Sequence, residues 1–498
     1  MNNCTLTKVA PTELGAAADD LLNHGGRMQV AYAWFPLHDA PQLRYIATTP
    51  GQREFAGWYV EAGDAPVASL ASRCPLLGWH EREMMEMSGV AFAGHPEPER
   101  LVTAFLPPTA RGPLEPLEPH GAERIGIAGS LRVPTLPEVS GKHVQLLPFG
   151  PVRADVVESA QFIFYYVGEG ILHYHPNLFL KHRGMEKQFE GADIETGVLL
   201  AERVVGIDSV AHALAYAQAV EDAAGCIVPP RACWLRVIAA ELERVYNHFH
   251  FLGHLCHTTT LKVGEAQGKL LEERAKQINA RACGSRLLRG IIWPGGVRRD
   301  LDRVAIAEGV AALRPELDRY VELIERTTSH LDRLISTAPL SQQLAFDQGA
   351  TGPVERASGV DRDLRRDHPY AAYDELPPAV ATRNEGDAFA RMKVRIAELR
   401  ASLALLDDAI TRGMPAGPLL EPCLCPPDSE GLGWAESSRG TVLYALHLDA
   451  GSRIARAKIK SPSFSNWRVF PFTVHDSNMM DYAINEASFG LTISGCAR

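Results

Sequence analysis

Two carboxylates, a run of histidines and a close cysteine pair are the residues through which this chain could do chemistry. Glu186 follows a basic loop, His182-Arg183-Gly184-Met185-Glu186-Lys187, and Asp208 closes the segment Glu202-Arg203-Val204-Val205-Gly206-Ile207-Asp208 before Ser209-Val210-Ala211-His212. A carboxylate relays protons only when burial and neighbours perturb it. Glu186 therefore reads either as such a relay or as a helix-start acid paired with Arg183 or Lys187. Asp208 reads as an acid or cation ligand, or as a surface-facing cap. His250, His254 and His257 share one helical face that could hold zinc or iron, with His248 beside them; the competing reading is a packing helix. Cys423 and Cys425 stand at C-x-C spacing in a proline-flanked loop, which is more often incidental than ligating. Asp361 and Asp363, among Arg362, Arg365 and Arg366, read as a solvated or interface salt network rather than a catalytic dyad.

Composition narrows the class. The chain has 498 residues, 46% of them hydrophobic, enough for two or three domains with a large core. Its formal charge of -10 argues against nucleic acid as a partner, because phosphate contacts need a basic surface. No run approaches the roughly 20 apolar residues that span a bilayer, and MNNCTLTKVAPTE lacks a signal pattern, so a cytoplasmic location is expected. Nine cysteines, at 4, 74, 226, 233, 256, 283, 423, 425 and 496, form neither a disulfide framework nor any C-x-x-C pair. No G-x-G-x-x-G or Walker loop supports nucleotide binding.

The elements that must position these residues follow from periodicity. A proline-rich stretch, 107–125, marks the boundary between a first domain, 1–106, and a second, 126–498. Before it, MQVAYAWF and QLRYIAT read as strands and WHEREMMEM as a helix, a small α/β unit. After it, VQLLPFG, FIFYYVG and ILHYHPN read as strands leading into HRGMEK. Apolar spacing of three and four then predicts long helices over about 198–221, 231–260, 303–336 and 387–412. TVLYALHLDAGSRIARAKIKSP reads as a hairpin that returns the tail toward the bundle. The expected class is α+β, with a mainly helical second domain and peripheral strands.

Several motifs, in order, carry a resemblance. Gly78-Trp79-His80-Glu81-Arg82-Glu83, then Met87-Ser88-Gly89-Val90 and Gly94-His95-Pro96, come first. Gly150-Pro151-Val152, the HRGMEK loop, Ala211-His212 with Ala215-Tyr216, and Arg356-Ala357-Ser358-Gly359-Val360 follow. Glu436-Ser437-Ser438-Arg439-Gly440 and Ser461-Pro462-Ser463-Phe464 complete the set. Together they resemble the fused C/D subunit of NADH:quinone oxidoreductase, complex I, and equally the large subunits of formate hydrogenlyase and other energy-converting nickel-iron hydrogenases. The resemblance makes 1–106 a C-like domain and 126–498 a D-like or hydrogenase-like domain. It implies an iron-sulfur small subunit, of the kind complex I and the hydrogenases carry, as partner, with other hydrophilic and membrane-arm subunits. The chain would then lie peripherally on the inner face of the membrane.

The resemblance also implies a site, and this chain departs from it. Hydrogenases of this kind hold nickel-iron through two C-x-x-C pairs, whose thiolates suit a soft metal. Here the first pair falls on Val205 and Asp208, the second on Thr492 and Gly495, and Cys496 lies one place beyond. Complex I instead offers a quinone a tyrosine and a histidine. The tyrosine falls on Gly206, the histidine of its strand-turn on Val157 and an earlier one on Arg153; Glu158 stands where hydrogenases carry glutamate. The resemblance draws Arg153, Glu158, Glu186, Arg203, Asp208, His212, Thr492 and Cys496 into one neighbourhood. The expectation is a redox-complex subunit whose nickel-iron centre is lost and whose cavity takes quinone or another electron carrier, or alternatively a structural subunit without chemistry. Iron-sulfur clusters would sit in the partner, since the cysteine spacing here cannot hold one. WHERE-M is expected to serve docking and folding only.

Overall fold

The computed structural model describes all residues except 2, 37–38, 64, 105–112, 115–134, 154–157 and 476. The predicted linker, apart from Pro113 and Leu114, and Val157 lie outside the described residues.

Alternating apolar residues build a four-stranded sheet near the N-terminus, with strands Cys4–Lys8, Phe55–Glu61, Gln42–Thr48 and Arg27–Trp34 side by side in that order. The helix Gly78–Ser88 packs against it and ends where Gly89 turns left-handed, φ 70°. Every residue of this helix is buried, the charged ones included. A helix with no solvent face must be covered on all sides. Its second cover is the rest of the chain: Glu83 pairs with Lys458, while Arg27 of the neighbouring strand bonds Glu355 at 2.7 Å.

Gln145–Phe149, Gln161–Val167 and Gly170–Asn177 are strands, as the sequence predicts; they form an antiparallel sheet and lead into the short helix Met185–Phe189. The expected helix over 198–221 is two helices, Ile194–Val204 and Ser209–Ala224. Val205 is extended, φ -133° and ψ 109°, so the chain leaves the first helix just where Val205–Asp208 form a connecting loop. Helices Pro230–Thr258, Arg303–Arg326 and Ala388–Thr411 match the other predicted spans, with Thr327 extended and a separate helix Thr328–Leu334 beyond it. Lys262–Cys283 is a further helix, rich in charge, that buries only a narrow stripe including Leu271, Ala275 and Ile278. Its hydrophobic signal is correspondingly thin.

The predicted hairpin is Gly440–Leu448 with Ile454–Lys460, and a third strand, Glu430–Ser437, pairs on its other side. Helix Ser209–Ala224 lies on that sheet at backbone contact. A side chain at Gly431 or Gly433 would collide with the carbonyls of Ala219 and Ala215. Small residues on both surfaces therefore set the approach that brings His212 to Tyr444, at 2.9 Å. The tail returns through helices Tyr482–Phe489 and Ile493–Cys496 to the HRGMEK loop.

Candidate functional site

Two side chains collect the backbone of three distant segments. Arg183 donates to the carbonyls of Arg203 at 3.0 Å, Val204 at 2.5 Å and Ser494 at 3.1 Å. Glu158 accepts from the N–H groups of Ile493 at 2.5 Å and Ser494 at 3.0 Å. These are orphan groups at helix ends, which need partners wherever they are buried. His182 adds a bond to the Ala497 carbonyl at 3.2 Å. The basic loop, the ERV segment and the tail thus converge.

Beneath them lies a buried ion network. Glu186 Oε1 accepts from the Ile459 N–H at 3.1 Å and from Arg498 Nε at 3.2 Å, and lies 3.2 Å from Lys458 Nζ. Oε2 lies 3.2 Å from Arg456 but out of hydrogen-bond alignment, and is left without a hydrogen-bond partner. Glu83 binds Lys458 at 2.5 Å and takes both oxygens to Arg498, at 2.8 and 2.9 Å. Burial alone would push both carboxyls up; Lys458, Arg456 and Arg498 outweigh it and hold both below the ordinary carboxylate range. Glu186 is thus neither solvated nor paired with Arg183 or Lys187. Its partners come from a strand and the tail, separations that local spacing does not encode.

Asp208 is 1% exposed, which rules out the surface cap. Although it occupies the N-cap position, its side chain makes no cap bond; Glu243, from helix Pro230–Thr258, accepts from the N–H groups of Val210 and Ala211 at 2.7 and 2.9 Å instead. Asp208 turns to Arg439 Nη1, at 2.9 Å, and Arg439 Nε donates to the Gly490 carbonyl. Burial, and then the nearby Asp208 charge, raise the Glu243 carboxyl to about 8.

His212 is fully buried. Its Nδ1 faces the Tyr444 hydroxyl, and its Nε2 has no partner among the described residues. Burial, aided by Arg183 and Arg498, lowers its imidazole to about 3. Thr492 spends its hydroxyl on the Gly495 N–H, at 3.2 Å, and on Ser463. Val205 and Cys496 are buried, and burial pushes the Cys496 thiol up. Gly495 sits where an added side chain would strike Thr492 and Ser463.

Two expected members stand apart. The Arg203 side chain is about half exposed and bonds within its own helix, to Leu199. Arg153 stacks on Phe149 and Phe162 and forks onto Glu486, at 3.0 and 3.1 Å.

Glu83, Arg183, Glu243, Arg439, Arg456, Lys458 and Arg498 were not among the predicted site residues. Glu83 gives the WHERE-M helix a place in the ion network through Lys458 and Arg498, in keeping with a docking and folding role. Arg456, Lys458 and Lys460 alternate on one strand face, a pattern that normally signals solvent; here that face is buried. Asp363 is a similar correction, being buried with Arg365 at 2.7 Å and Arg356 at 3.3 Å, whereas Asp361 is exposed with Arg366. His248 is buried against Glu398, while His250 and His257 pair with Glu272 and Glu265 of the next helix. Cys423 and Cys425 both direct their thiols at the Val220 carbonyl. Among the described residues no His, Cys, Asp and Glu cluster has the makings of a metal site.

The family model for the respiratory-chain NADH dehydrogenase 49 Kd subunit matches residues 270–424 and 419–498, and that for the 30 Kd subunit residues 16–120. The nickel-dependent hydrogenase model matches residues 183–281. Formate hydrogenlyase subunit 5 of Escherichia coli is 31% identical over 431 residues, 85% of this chain and 75% of that protein. The chain belongs to this family. The NADH-quinone oxidoreductase C/D subunit of Gluconacetobacter diazotrophicus is 30% identical over 461 residues, 82% of this chain and 75% of that one. Among solved structures, a chain of the membrane-bound sulfane sulfur reductase, an archaeal respiratory membrane complex, superposes with a TM-score of 0.68 at 26% identity. That match covers 72% of this chain and 99% of the other. The family relationship spans both the N-terminal portion and the helical portion that share the ion network.

Two outcomes follow from this geometry. Asp208→Ala strands the Arg439 charge and should cost about 3–5 kcal/mol in chemical denaturation, with Asp208→Ala/Arg439→Met recovering most of it. A single variant as stable as the parent would contradict the pairing. His212 is neutral in the fold down to about pH 3 but takes a proton near pH 6.5 when unfolded. Its contribution is therefore complete above pH 6.5 and lost as pH falls toward 3. His212→Gln should show a Tm that declines less steeply than the parent's between pH 6.5 and 4.

Proposed function

We propose that this chain is the large subunit of a membrane-associated, complex I-like oxidoreductase that lacks nickel-iron and whose polar frame receives the head group of a quinone or another small electron carrier. The observation that carries this reading is four buried polar atoms, in one neighbourhood, without hydrogen-bond partners among the described residues: Arg183 Nε, Glu186 Oε2, His212 Nε2 and Arg456 Nη1. Buried polar groups are nearly always satisfied, and unsatisfied ones concentrate where function or an occupant supplies the partner. In the tautomer with its proton on Nε2, His212 accepts from Tyr444 and offers Nε2–H to a carbonyl oxygen. Quinone reduction consumes two electrons, delivered by an iron-sulfur cluster in the small-subunit partner, and two protons.

Nickel-iron does not fit the donor set. Val205 and Gly495 offer no ligand, Thr492 and Asp208 are held by hydrogen bonds within the chain, and oxygen donors suit hard cations rather than a centre built on thiolates. Cys496 alone is a thiol there, and burial keeps it protonated.

No helix among the described residues is long and apolar enough to cross a membrane. In this reading, membrane association runs through other subunits, in keeping with the membrane-bound complex among the solved structures. The division into a C-like domain, 1–106, and a D-like domain, 126–498, is part of this proposal.

A second reading, a structural link between the small subunit and the membrane arm, is favoured by the pairing of Asp208 Oδ1 and Glu186 Oε1 within the chain. Electron paramagnetic resonance on the natively copurified complex separates the two. Under the first reading, adding a quinone discharges the reduced iron-sulfur signal, and His212→Gln slows this by about tenfold or more, a loss of about 1.4 kcal/mol. Glu186→Gln should slow it too. A signal that persists in the parent, or that discharges equally fast in both variants, leaves the structural reading.

A further inference from the structure

A second polar site, lined by other residues, adjoins this frame at the seam between the N-terminal sheet and the rest of the chain. Its cavity has about 20 Å³ of free space, room for one water-sized occupant. Lys460, Arg362, Arg468 and His80 line it. Lys460 is 5% exposed, yet among the described residues its ammonium meets no carboxylate, only the Gln29 side-chain oxygen at 3.0 Å. Arg362 donates to the Thr48 hydroxyl at 2.5 Å and has no ion pair among the described residues. Arg468 likewise has none, and its Nε is buried without an acceptor among the described residues. His80 is 2% exposed, with Nδ1 buried and, among the same residues, unpartnered.

The acids on the same walls are already committed. Glu355 binds Arg27 at 2.7 Å, Asp363 binds Arg365 and Arg356, and Glu436 binds Arg356 at 3.1 Å. Positive charge is therefore in excess. Burial and surrounding cations push the Lys460 amine down to about 7 and hold the His80 imidazole well below its ordinary range. Leaving a charge buried and unpaired costs several kcal/mol, and a bound counter-ion removes that cost. Gln348, whose side-chain oxygen is also buried without a partner, can turn its amide to present N–H instead. Two of its lining side chains also border surface recesses. Arg362 also lines a surface recess beside Gly51 and His368, and Arg468 another beside Glu97 and His175.

We propose that this cavity binds one small monovalent inorganic anion, chloride or a halide of similar size, held by Lys460, Arg468, Arg362 and the Nδ1–H of His80. The ion joins the strand Ile454–Lys460, the helix Gly78–Ser88 and the loop after Gly359 into one electrostatic unit. It does so without touching the Glu186 and His212 frame, so the proposal stands or falls apart from the quinone reading.

Crystals of the full chain grown with bromide in place of chloride test it directly. The expected result is an anomalous difference peak within hydrogen-bonding distance of Lys460 Nζ and Arg468. Bromide peaks at the surface with none in this cavity, or only a water there, would overturn it. In solution, chloride should raise the parent's Tm saturably over gluconate at equal ionic strength, and Lys460→Met should lose that shift. Should Lys460→Met fail to fold, the parent decides alone: equal Tm values in chloride and gluconate contradict the site.

Discussion

Charge removed from water must find charge, and that requirement at Glu83 and Glu186 organises the molecule. Two carboxylates and three cations, Arg456, Lys458 and Arg498, are buried together. They come from a helix of the N-terminal portion, the helix after the HRG loop, a strand of the hairpin and the tail. Each is costly to bury alone, and removing one partner leaves the others uncompensated. The network is therefore a condition on how the four segments can be arranged, as well as a source of stability. It also explains why a helix as charged as Gly78–Ser88 has no solvent-facing side.

Around that network, the backbone is held at its ends rather than its middle. Arg183 takes carbonyls of the ERV segment and the tail, and Glu158 takes the first N–H groups of the last helix. The ERV segment and the tail, where the resemblance places the nickel-iron ligands, are thereby held side by side by Arg183 and Glu158. In the proposed reading, this is how a frame persists with Val205, Asp208, Thr492 and Gly495 at the positions that the resemblance assigns to ligands. Asp208 shows the change most clearly, its carboxylate held by Arg439 while Glu243 caps the helix that Asp208 begins.

The α+β class, the strands before HRGMEK, the hairpin and three of the long helices were legible because their hydrophobic period is strong. The break at Val205–Asp208 was not, since apolar spacing continues through it. Helix Lys262–Cys283 escaped because its buried stripe is narrow and its surface charged. At the site, the resemblance pointed to Glu158, Glu186, His212, Thr492 and Cys496 as neighbours; the fold ties Glu158 to the N–H groups of Ile493 and Ser494, and Glu186 to Arg498. Arg203 and Arg153 carried the same signal, yet their side chains serve their own surroundings. What sequence could not show was burial: R-x-K-x-K on a strand reads as a wet face until another layer is found to cover it.

The central claim is that protein charges and hydrogen bonds, rather than nickel-iron, hold the ligand positions of this family's site. Nickel and iron quantified per chain in the natively purified complex, alongside hydrogen uptake, test it most directly. The account predicts iron at the level of the partner's clusters, nickel far below one per chain and no hydrogen uptake. One nickel per chain with hydrogen turnover would contradict it.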